Sequence, residues 1–351
     1  MARYVRSFCE RRGLKVRADK FGNLLTKYQR GGRKAGWPLL FSAHMDHPGF
    51  EALEMVGARG VRAQWRGGVA LEFFRGAGVR FLSEGKWVRG IIRRVKPLKS
   101  KPGQMRRADT VEVELRGRGQ VAKGALGMWD LPGPAIRGKK IHAPACDDIA
   151  GVAAMLCLLE VLCRRRVNAA VYLLFTRAEE VGFAGCMSAC KAGTVPKRSA
   201  IVGIECSTEL LTARMGDGPI LRVGDRMSVF SPRLEGYCRQ TADELSRKDK
   251  TFRYQRKLMD GGACESTAFC AYGYEATGVC LALGNYHNMN KREKRIEREY
   301  IHLEDLAHMI RWFVALASKR RGYEPKVGAP PPLLEGIRRK HERTLVRTVG
   351  K

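Results

Sequence analysis

Acidic residues and histidines that could bind metal ions follow apolar runs at five points along this chain. Two of them, Glu179 and Glu180, are adjacent, and a chain leaving a strand projects neighbouring side chains in opposite directions. One carboxylate can then hold a metal ion while its neighbour holds the water that the metal activates. The candidates are His44 in LLFSAHMDHPG, Asp147 in HAPACDDIAG, Glu179 and Glu180 in VYLLFTRAEEVGFAG, Glu205 in AIVGIECS and His287 in LALGNYHNMN.

The order of these motifs is H-x-D, D-D-x-x-G, E-E-x-G, a carboxylate after a strand and then a late histidine. It resembles the co-catalytic zinc aminopeptidases, and above all the tetrahedral, or glutamyl-type, aminopeptidases. Bacterial leucyl aminopeptidases and the dimetal carboxypeptidases and deacylases share the same core. The resemblance extends from about Arg6 to about Ala317. It begins inside what would be the family's first helix, which leaves open whether a segment precedes Met1.

The resemblance implies two divalent metal ions in each chain. Zinc is the first expectation, with cobalt or manganese as alternatives, because imidazole and carboxylate ligands suit all three metals. Asp147 would bridge the two ions. His44 and Glu205 would complete one site, and Glu180 and His287 the other.

The resemblance also implies roles for two further acids. Glu179 would be the general base, taking a proton from the attacking water and later passing it to the leaving amine. Asp46 lies two residues after His44 and could hydrogen-bond its imidazole, which would fix the tautomer of the ring. His47, in contrast, is interpreted as a surface or packing residue.

Each candidate has a structural interpretation when it is taken singly. His44 could lie in the core at a strand end, Asp148 could cap a helix, and both acids of DDIAG could serve that purpose. Glu179 and Glu180 could be first-turn acids of a helix. Glu205 could face solvent and His287 could belong to a polar loop. The joint order of the five candidates favours the metal site.

The motif GGACESTAF departs from the family pattern, in which this position usually reads Gly-Thr-Asp-Ala. Glu265 could replace that aspartate in contacting a substrate amino group, with Gly262 nearby, or Cys264 could occupy its place. A nucleophilic role for Cys264 is disfavoured because no histidine lies in a matching motif.

Short apolar runs bounded by polar residues predict buried strands in WPLLFSAHM, AAVYLLFT, SAIVGIE and GVCLALG, and DIAGVAAMLCLLEVLCRRR predicts a helix. Alternating strands and helices predict an α/β fold with a mostly parallel sheet flanked by helices, and the family resemblance implies that this fold is of the zinc-peptidase and phosphorylase type. Alternating segments in GVALEFFRG, GVRFLSEGKWVRGIIRRVKP, DTVEVELRG and GPAIRGKKIH are typical of a small antiparallel barrel. We therefore expect a catalytic domain of residues 1–50 and 143–318, an inserted β domain of residues 51–142 and a basic, proline-containing tail of residues 319–351.

The chain carries 65 Lys and Arg against 35 Asp and Glu, a formal net charge of +30. Residues 51–142 contain 20 of these cations and residues 319–351 contain 10, so the charge is distributed. This favours a solvated basic surface over a dedicated nucleic-acid site. No apolar run is long enough for a membrane span, and the charged N-terminus does not resemble a signal peptide. Eleven cysteines without a C-x-x-C pair predict reduced thiols and a cytoplasmic protein.

These observations predict a dimetal hydrolase that removes N-terminal residues from peptides. A carboxypeptidase, dipeptidase or N-deacylase built on the same core is the first alternative, and a non-catalytic protein that binds anions or nucleic acid is the second. The family resemblance implies a homo-oligomer that associates through the inserted domain.

Overall fold

The computed structural model describes residues 1–32, 36–99, 101–103, 105–117, 119–319, 322–325 and 332–349. A mixed sheet of eight strands and a closed barrel of six strands are its two main parts. The strands are β1 (Val16–Ala18), β2 (Leu24–Arg30), β3 (Leu39–His44), β4 (Gly49–Val56), β5 (Gly60–Arg66), β6 (Gly78–Ser83), β7 (Lys86–Pro97), β8 (Ala108–Leu115), β9 (Leu126–Trp129), β10 (Ala135–Arg137), β11 (Lys140–Ala143), β12 (Ala169–Thr176), β13 (Ala200–Thr208), β14 (Ile220–Asp225), β15 (Gln255–Met259), β16 (Glu275–Leu283), β17 (Met289–Asn290), β18 (Arg295–Ile296) and β19 (Glu299–His302).

Helices cover the large sheet, and two short 3-10 turns occur at Leu71–Phe73 and Tyr286–Asn288. Within the described residues, no helix has the length and apolar character needed to cross a membrane. The helices are α1 (Ala2–Glu10), α2 (Ile149–Arg164), α3 (Ala184–Lys191), α4 (Pro232–Lys248), α5 (Glu265–Ala271), α6 (Leu303–Ser318) and α7 (Pro332–Arg347).

The four strands predicted from apolar runs form the centre of the large sheet, in the order β12, β3, β13, β16. All three pairings among them are parallel. Side chains of α2, α4 and α6 cover one face, and those of α3 and α5 cover the other. Because both faces are buried, these strands are apolar throughout instead of alternating. The predicted α/β fold class is confirmed.

The predicted helix corresponds to α2, which packs between β3 and α6. Asp148 caps its first turn, since its side chain accepts a hydrogen bond from the backbone N–H of Gly151 at 3.0 Å. The helix ends at Arg164, whose charge is favourable beside the C-terminal end of the helix dipole. Because Asp147 directly precedes this cap, the packing of α2 against β3 fixes the position of Asp147.

The barrel closes in the order β4, β5, β8, β7, β6, β9, and its neighbouring strands are antiparallel. Its interior is filled by aromatic rings. Phe50 and Trp129 meet edge to face with ring centroids 4.9 Å apart, and Trp65 and Phe74 do so at the same separation. Such pairs favour this geometry because the ring edge and the ring face carry opposite partial charges.

Two segments predicted as barrel strands are not part of the barrel. GVALEFFRG contains a 3-10 turn, because Ala70, Phe73 and Phe74 all pack into the barrel core at helical spacing. GPAIRGKKIH forms the hairpin of β10 and β11, which pairs with β19. The barrel instead takes β4, β5 and β9 from residues 49–66 and 126–129, whose pattern was not recognised in the sequence.

The predicted basic tail is described in part. Residues 320–321, 326–331 and 350–351 lie outside the described residues. Helix α7 occupies most of the remainder, where its Arg338 pairs with Glu342 at 2.6 Å.

Candidate active site

The predicted site residues lie at the carboxyl ends of the parallel strands. His44 is the last residue of β3, and Glu205 lies in the second half of β13. Glu180 follows β12, and His287 follows β16. Parallel strands end at the same edge of a sheet, which is where open α/β folds place ligands. The structure therefore brings together side chains that are far apart in the sequence.

Three groups of metal-compatible ligands share Asp147; two of them contain a histidine, and the third consists of Asp147, Asp148 and Cys206. In the first, Nε2 of His44 lies 3.4 Å from Oδ1 of Asp147 and 3.6 Å from Oε2 of Glu205. In the second, Nε2 of His287 lies 3.3 Å from Oε2 of Glu180 and 3.7 Å from Oδ2 of Asp147. The two carboxylate oxygens of Asp147 therefore face different histidines.

Hydrogen bonds to the backbone orient both rings. Nδ1 of His44 lies 3.1 Å from the carbonyl oxygen of Asp46, and Nδ1 of His287 lies 2.8 Å from that of Gly68. A carbonyl accepts, so each Nδ1 donates and each Nε2 retains a lone pair in the neutral ring. In the neutral rings these lone pairs face carboxylate oxygens, and a metal ion or a proton between them would remove the repulsion.

Four buried atoms of the two groups have no hydrogen-bond partner, namely Nε2 of His44, Oδ1 of Asp147, Oε1 of Glu180 and Oε1 of Glu205. Buried polar atoms without partners are rare in folded proteins. All four are atoms that bind divalent metals, and the imidazole and carboxylate set suits zinc, cobalt or manganese. The residues present therefore fit a metal centre.

The pKa shifts of the site residues also indicate that the site favours a bound positive charge. Burial raises the pKa of Glu180 and Glu205. Burial also disfavours charge on His44, but its contacts with Asp147 and Glu205 outweigh that effect and raise its pKa. A proton on His44 and a metal ion are thus alternative ways of neutralising the same carboxylates. Burial lowers the pKa of His287 to about 4, so this ring stays neutral, as a metal ligand must.

Glu179 belongs to neither of the two histidine-containing groups that share Asp147, but it lies beside both. A carboxylate oxygen of Glu179 lies within 4.8 Å of ligand atoms of His44 and Glu180. Burial, followed by the negative charge of Glu205, raises the pKa of Glu179. Glu179 also lines the small cavity at the sheet edge, so its carboxylate is open to a bound molecule.

Asp46 differs from the prediction in the partner it binds. Its carboxylate accepts hydrogen bonds from the backbone N–H groups of Glu179 at 3.2 Å and Glu180 at 3.3 Å. The imidazole of His44 bonds the backbone carbonyl oxygen of Asp46 instead, and Oδ1 of Asp46 is 3.8 Å from Nδ1 of His44. The backbone N–H of Met45 bonds the carbonyl oxygen of Thr176 at 2.8 Å, so the chain stays beside β12 after His44 and the Asp46 side chain lies against the segment after β12. Asp46 therefore holds the Glu179–Glu180 segment in place.

The loop that carries His287 has an unusual backbone. Asn285, His287 and Asn288 have φ values of 53°, 53° and 65°, in the left-handed region that non-glycine residues seldom adopt. The amide nitrogen of Asn288 stabilises this loop by donating to the carbonyl oxygens of Pro144 at 2.8 Å and Glu297 at 3.0 Å. Strained backbone of this kind is often found at functional sites.

Two residues that support the site were missed in the sequence. His47, interpreted there as a surface or packing residue, bonds the carbonyl oxygen of Asp147 at 2.7 Å and Oδ1 of Asn288 at 2.9 Å. Glu299 accepts hydrogen bonds from the backbone N–H groups of Cys146 and Asp147 at 2.7 and 3.0 Å. Both fix the backbone at Asp147. Neither had a signal beyond its residue type, because their partners are more than 90 residues away.

The two residues predicted to contact the substrate, Gly262 and Glu265, occupy different positions relative to the cavity. Gly262 lines a cavity of about 80 Å³ together with Asp147 and Glu179. Glu265 is buried beside the ligand cluster, near His44 and Glu179, where Ser42 and Thr176 donate to its Oε2 at 3.2 and 2.8 Å, and burial raises its pKa to about 8. It does not line this cavity, in contrast to the position expected for contact with a substrate amino group.

Cys264 and Arg222 complete the surroundings of the cavity. Burial raises the pKa of the Cys264 thiol, as expected for an inert cysteine. Arg222 lines the cavity, is only 3% exposed and lacks a hydrogen-bond partner at Nε. No carboxylate of the described residues lies within ion-pair distance of its guanidinium, but Glu205 and Asp225 are near enough to interact with its charge. A lone arginine within ILRVGD carries no sequence signal for lining the cavity.

A family model described as M42 glutamyl aminopeptidase matches residues 22–311. Comparison with curated proteins gave no match. Among solved structures, the chain is similar to the TET1 peptidase of Pyrococcus horikoshii. The identity is 20% and the TM-score 0.73, over 90% of this chain and 92% of that chain. That peptidase can assemble into a tetrahedron or a large octahedral shell. The chain is equally similar to an aminopeptidase from the archaeon Desulfurococcus kamchatkensis, with 20% identity and a TM-score of 0.73 over 91% and 89% of the two chains. An M18 aminopeptidase from Thermotoga maritima shares the fold at 12% identity and a TM-score of 0.65, over 91% and 92%. The family match covers most of the chain, and this protein is therefore a peptidase belonging to the M42 glutamyl aminopeptidase family.

Proposed function

We propose that the protein is a metal-dependent aminopeptidase with two divalent ions in each chain. The observation that carries this proposal is the sharing of Asp147 between two groups of ligands. His44 and Glu205 would complete the site of one ion, and Glu180 and His287 that of the other. Zinc is the first candidate, with cobalt and manganese as alternatives.

The two ions would supply an activated water at neutral pH and stabilise the charge that develops on the peptide carbonyl oxygen. Glu179 would accept a proton from the attacking water and deliver it to the amine that leaves. Asp46 would act as a positioning residue, because it holds the backbone N–H groups of Glu179 and Glu180. Glu299 and His47 would likewise keep Asp147 between the two histidines.

The cavity would receive the N-terminal residue of the peptide. Its volume is about 80 Å³, and Gly262 adds no side chain to its wall. Arg222 would favour an acidic side chain on that residue, since its guanidinium has no ion-pair partner among the described residues. Glutamyl and aspartyl substrates are therefore expected to be preferred over leucyl ones.

Chelation tests the proposal directly. Purified protein should contain about two divalent ions per chain, and excess chelator should abolish hydrolysis of aminoacyl-p-nitroanilides until metal is added back. A panel with glutamyl, aspartyl and leucyl groups reads out the side-chain preference, and N-acetylated versions should resist hydrolysis. Full activity in excess chelator, with no metal detected by mass spectrometry, would contradict metal dependence. Faster hydrolysis of the acetylated panel would favour a deacylase instead.

We also propose that the barrel is a separate inserted domain through which copies of the chain associate. Leu82, Trp87 and Leu126 are 42%, 48% and 69% exposed and lie on adjacent strands. The pairings Leu82–Trp87 and Leu82–Leu126 place all three on one face. An exposed apolar patch of this kind is typical of interaction surfaces, and the similar peptidase of Pyrococcus horikoshii forms shells.

Light scattering at micromolar concentration should therefore show an oligomer, and Leu126→Asp should shift it toward smaller species by placing a charge in the apolar contact. Leu98→Asp, at an exposed leucine outside this patch, is the matched control. A wild-type monomer with full activity would rule out assembly as a requirement for function.

A cytoplasmic location is a further part of this proposal. All eleven cysteines are unpaired, and most are buried, as in proteins of reducing compartments. Fractionation of the source cells with an antibody to the chain should recover it with cytoplasmic markers. Recovery with secreted protein would contradict this assignment.

A further inference from the structure

A large groove adjoins the small cavity and opens next to the candidate metal ligands. It has a volume of about 720 Å³, and Thr208 and Tyr286 line both the groove and the cavity. Thr208 ends β13, three residues after Glu205, and the ring of Tyr286 stacks on that of His287 with centroids 3.9 Å apart. The groove is therefore continuous with the site in which hydrolysis is proposed.

The walls of this groove are strongly basic, and we call it the basic groove. It is lined by five cations and two carboxylates, the cations being Arg137, Lys291, Arg292, Arg295 and Arg298. Both carboxylates are already engaged, since Glu293 lies 3.7 Å from Arg292 and Glu297 accepts from Nε of Arg295 at 2.7 Å.

Several of these cations are free to bind an anion. Arg137 and Lys291 are exposed and form no ion pair within the part of the chain that the structure describes. Arg292 pairs with Glu293 at 3.7 Å but is 92% exposed on the turn between β17 and β18, so its charge also faces the groove. Arg298 donates only to the carbonyl oxygen of Gly133, which leaves its charge uncompensated. Clefts lined by one sign of charge concentrate ligands of the opposite sign.

His142 also lines the groove, and its pKa is affected by these cations. Its pKa is lowered, first by burial and then by the positive charges of Arg298 and Arg137. A neutral imidazole in this position can hydrogen-bond to a ligand, and the ring lies tilted against that of Tyr300 with ring centroids 5.2 Å apart. Cations from β10 and from the segment before β19 thus converge on one point of the groove.

The relative sizes of the two spaces indicate the direction of a bound peptide. An aminopeptidase holds one residue on the N-terminal side of the scissile bond and the remainder of the chain on the other side. The cavity of about 80 Å³ suits the single residue, and the groove of about 720 Å³ suits the remainder. An extended chain advances about 3.3 Å per residue, so the second and third residues after the scissile bond would lie about 7–10 Å beyond it, in the direction of the groove.

We propose that the basic groove selects peptides with acidic residues at the second and third positions after the scissile bond. The inference rests on the proposed aminopeptidase function. It adds a preference on the side of the leaving peptide, which is independent of the side chain held near Arg222. The contacts would lower KM and leave kcat unchanged, because they lie away from the bond that is cleaved.

Pentapeptides that share one N-terminal residue, X, test this selection. X-Ala-Asp-Asp-Ala, X-Ala-Ala-Ala-Ala and X-Ala-Lys-Lys-Ala differ only at the positions that reach the groove, and X is chosen as the residue cleaved fastest in the p-nitroanilide panel. At low salt the wild type should show a KM about three- to tenfold lower for the acidic peptide than for the alanine peptide, as expected for a few exposed ion pairs. The difference should shrink as ionic strength rises past about 0.15 M.

The double variant Lys291→Ser with Arg292→Ser removes two exposed cations of the groove. It should raise KM for the acidic peptide about three- to tenfold and leave the alanine peptide and X-p-nitroanilide unchanged, since the latter has no residues to occupy the groove. Lys248→Ser with Lys250→Ser removes the same charge from exposed positions outside the groove and should have no effect.

Equal KM values for the three peptides in the wild type, or an equal change in both double variants, would overturn the proposal. If neither peptides nor p-nitroanilides are hydrolysed, the aminopeptidase proposal fails, and titration calorimetry with the acidic pentapeptide then tests the groove alone. A short single-stranded oligonucleotide that binds the wild type but not the Lys291 and Arg292 double variant, without any peptide preference, would assign the groove to nucleic acid and also overturn the proposal.

Discussion

Replacing Glu179 with glutamine should reduce turnover by about 10²–10⁴-fold, the contribution typical of a positioned proton-transfer group. Glutamine has the same shape but cannot accept and return the proton. Glu179 lies outside the two groups that share Asp147, so the variant should keep its metal. The backbone N–H of residue 179 can still donate to Asp46, which preserves the local fold. Steady-state kinetics on a p-nitroanilide, with metal content measured on the same sample, checks both parts.

Glu10→Gln, at an exposed position of α1, is the matched control and should behave as wild type. A Glu179→Gln variant with a near-normal rate would disprove the role of general base. Loss of metal together with activity would instead make Glu179 a ligand, and its carboxylate lies near enough to His44 and Glu180 for this outcome to be informative.

Replacing Asp147 with alanine should remove both metal ions and abolish activity. Its two carboxylate oxygens face different histidines, at 3.4 Å from Nε2 of His44 and 3.7 Å from Nε2 of His287. Metal content should fall from about two ions per chain to near none, as measured by mass spectrometry after gel filtration.

His44→Ala and His287→Ala provide the comparison, because each changes only one group. Each should weaken one ion preferentially and retain part of the other. Thermal melting of chelated samples separates metal loss from misfolding, and chelated Asp147→Ala should melt close to chelated wild type. An Asp147→Ala protein that keeps both ions would refute the bridging role.

The sequence contained the α/β fold class because the central strands are apolar on both faces. WPLLFSAHM and AAVYLLFT are continuous apolar runs bounded by polar residues, and such runs specify a strand buried between helices. The strands of the barrel were harder to predict from the sequence. Ala70, Phe73 and Phe74 are apolar at both strand-like and helix-like intervals, and only packing against the barrel core decides for the 3-10 turn.

Four of the five candidate ligands were identifiable because they lie near or just after the end of an apolar strand, and strand ends converge at one sheet edge. Asp147 instead lies in the segment between β11 and α2. Their grouping around Asp147 matches the arrangement that the family resemblance implied, although the assignment of each metal remains a prediction. The supporting contacts were not identifiable. His47, Glu299 and Asn288 act through partners distant in the sequence, and nothing in their local pattern distinguishes them from surface residues.

The sequence by itself thus determined the residue types at the strand ends and the order in which they occur, because apolar runs and their polar boundaries are local properties. Only the tertiary structure decided which side chain meets which partner. Asp46 bonds the Glu179–Glu180 backbone, Glu265 turns to Ser42 and Thr176, and the cations around Arg292 adjoin the cavity of Glu179. Such contacts depend on the direction of a side chain after a turn and on the packing of segments far apart in the chain, which no local pattern encodes.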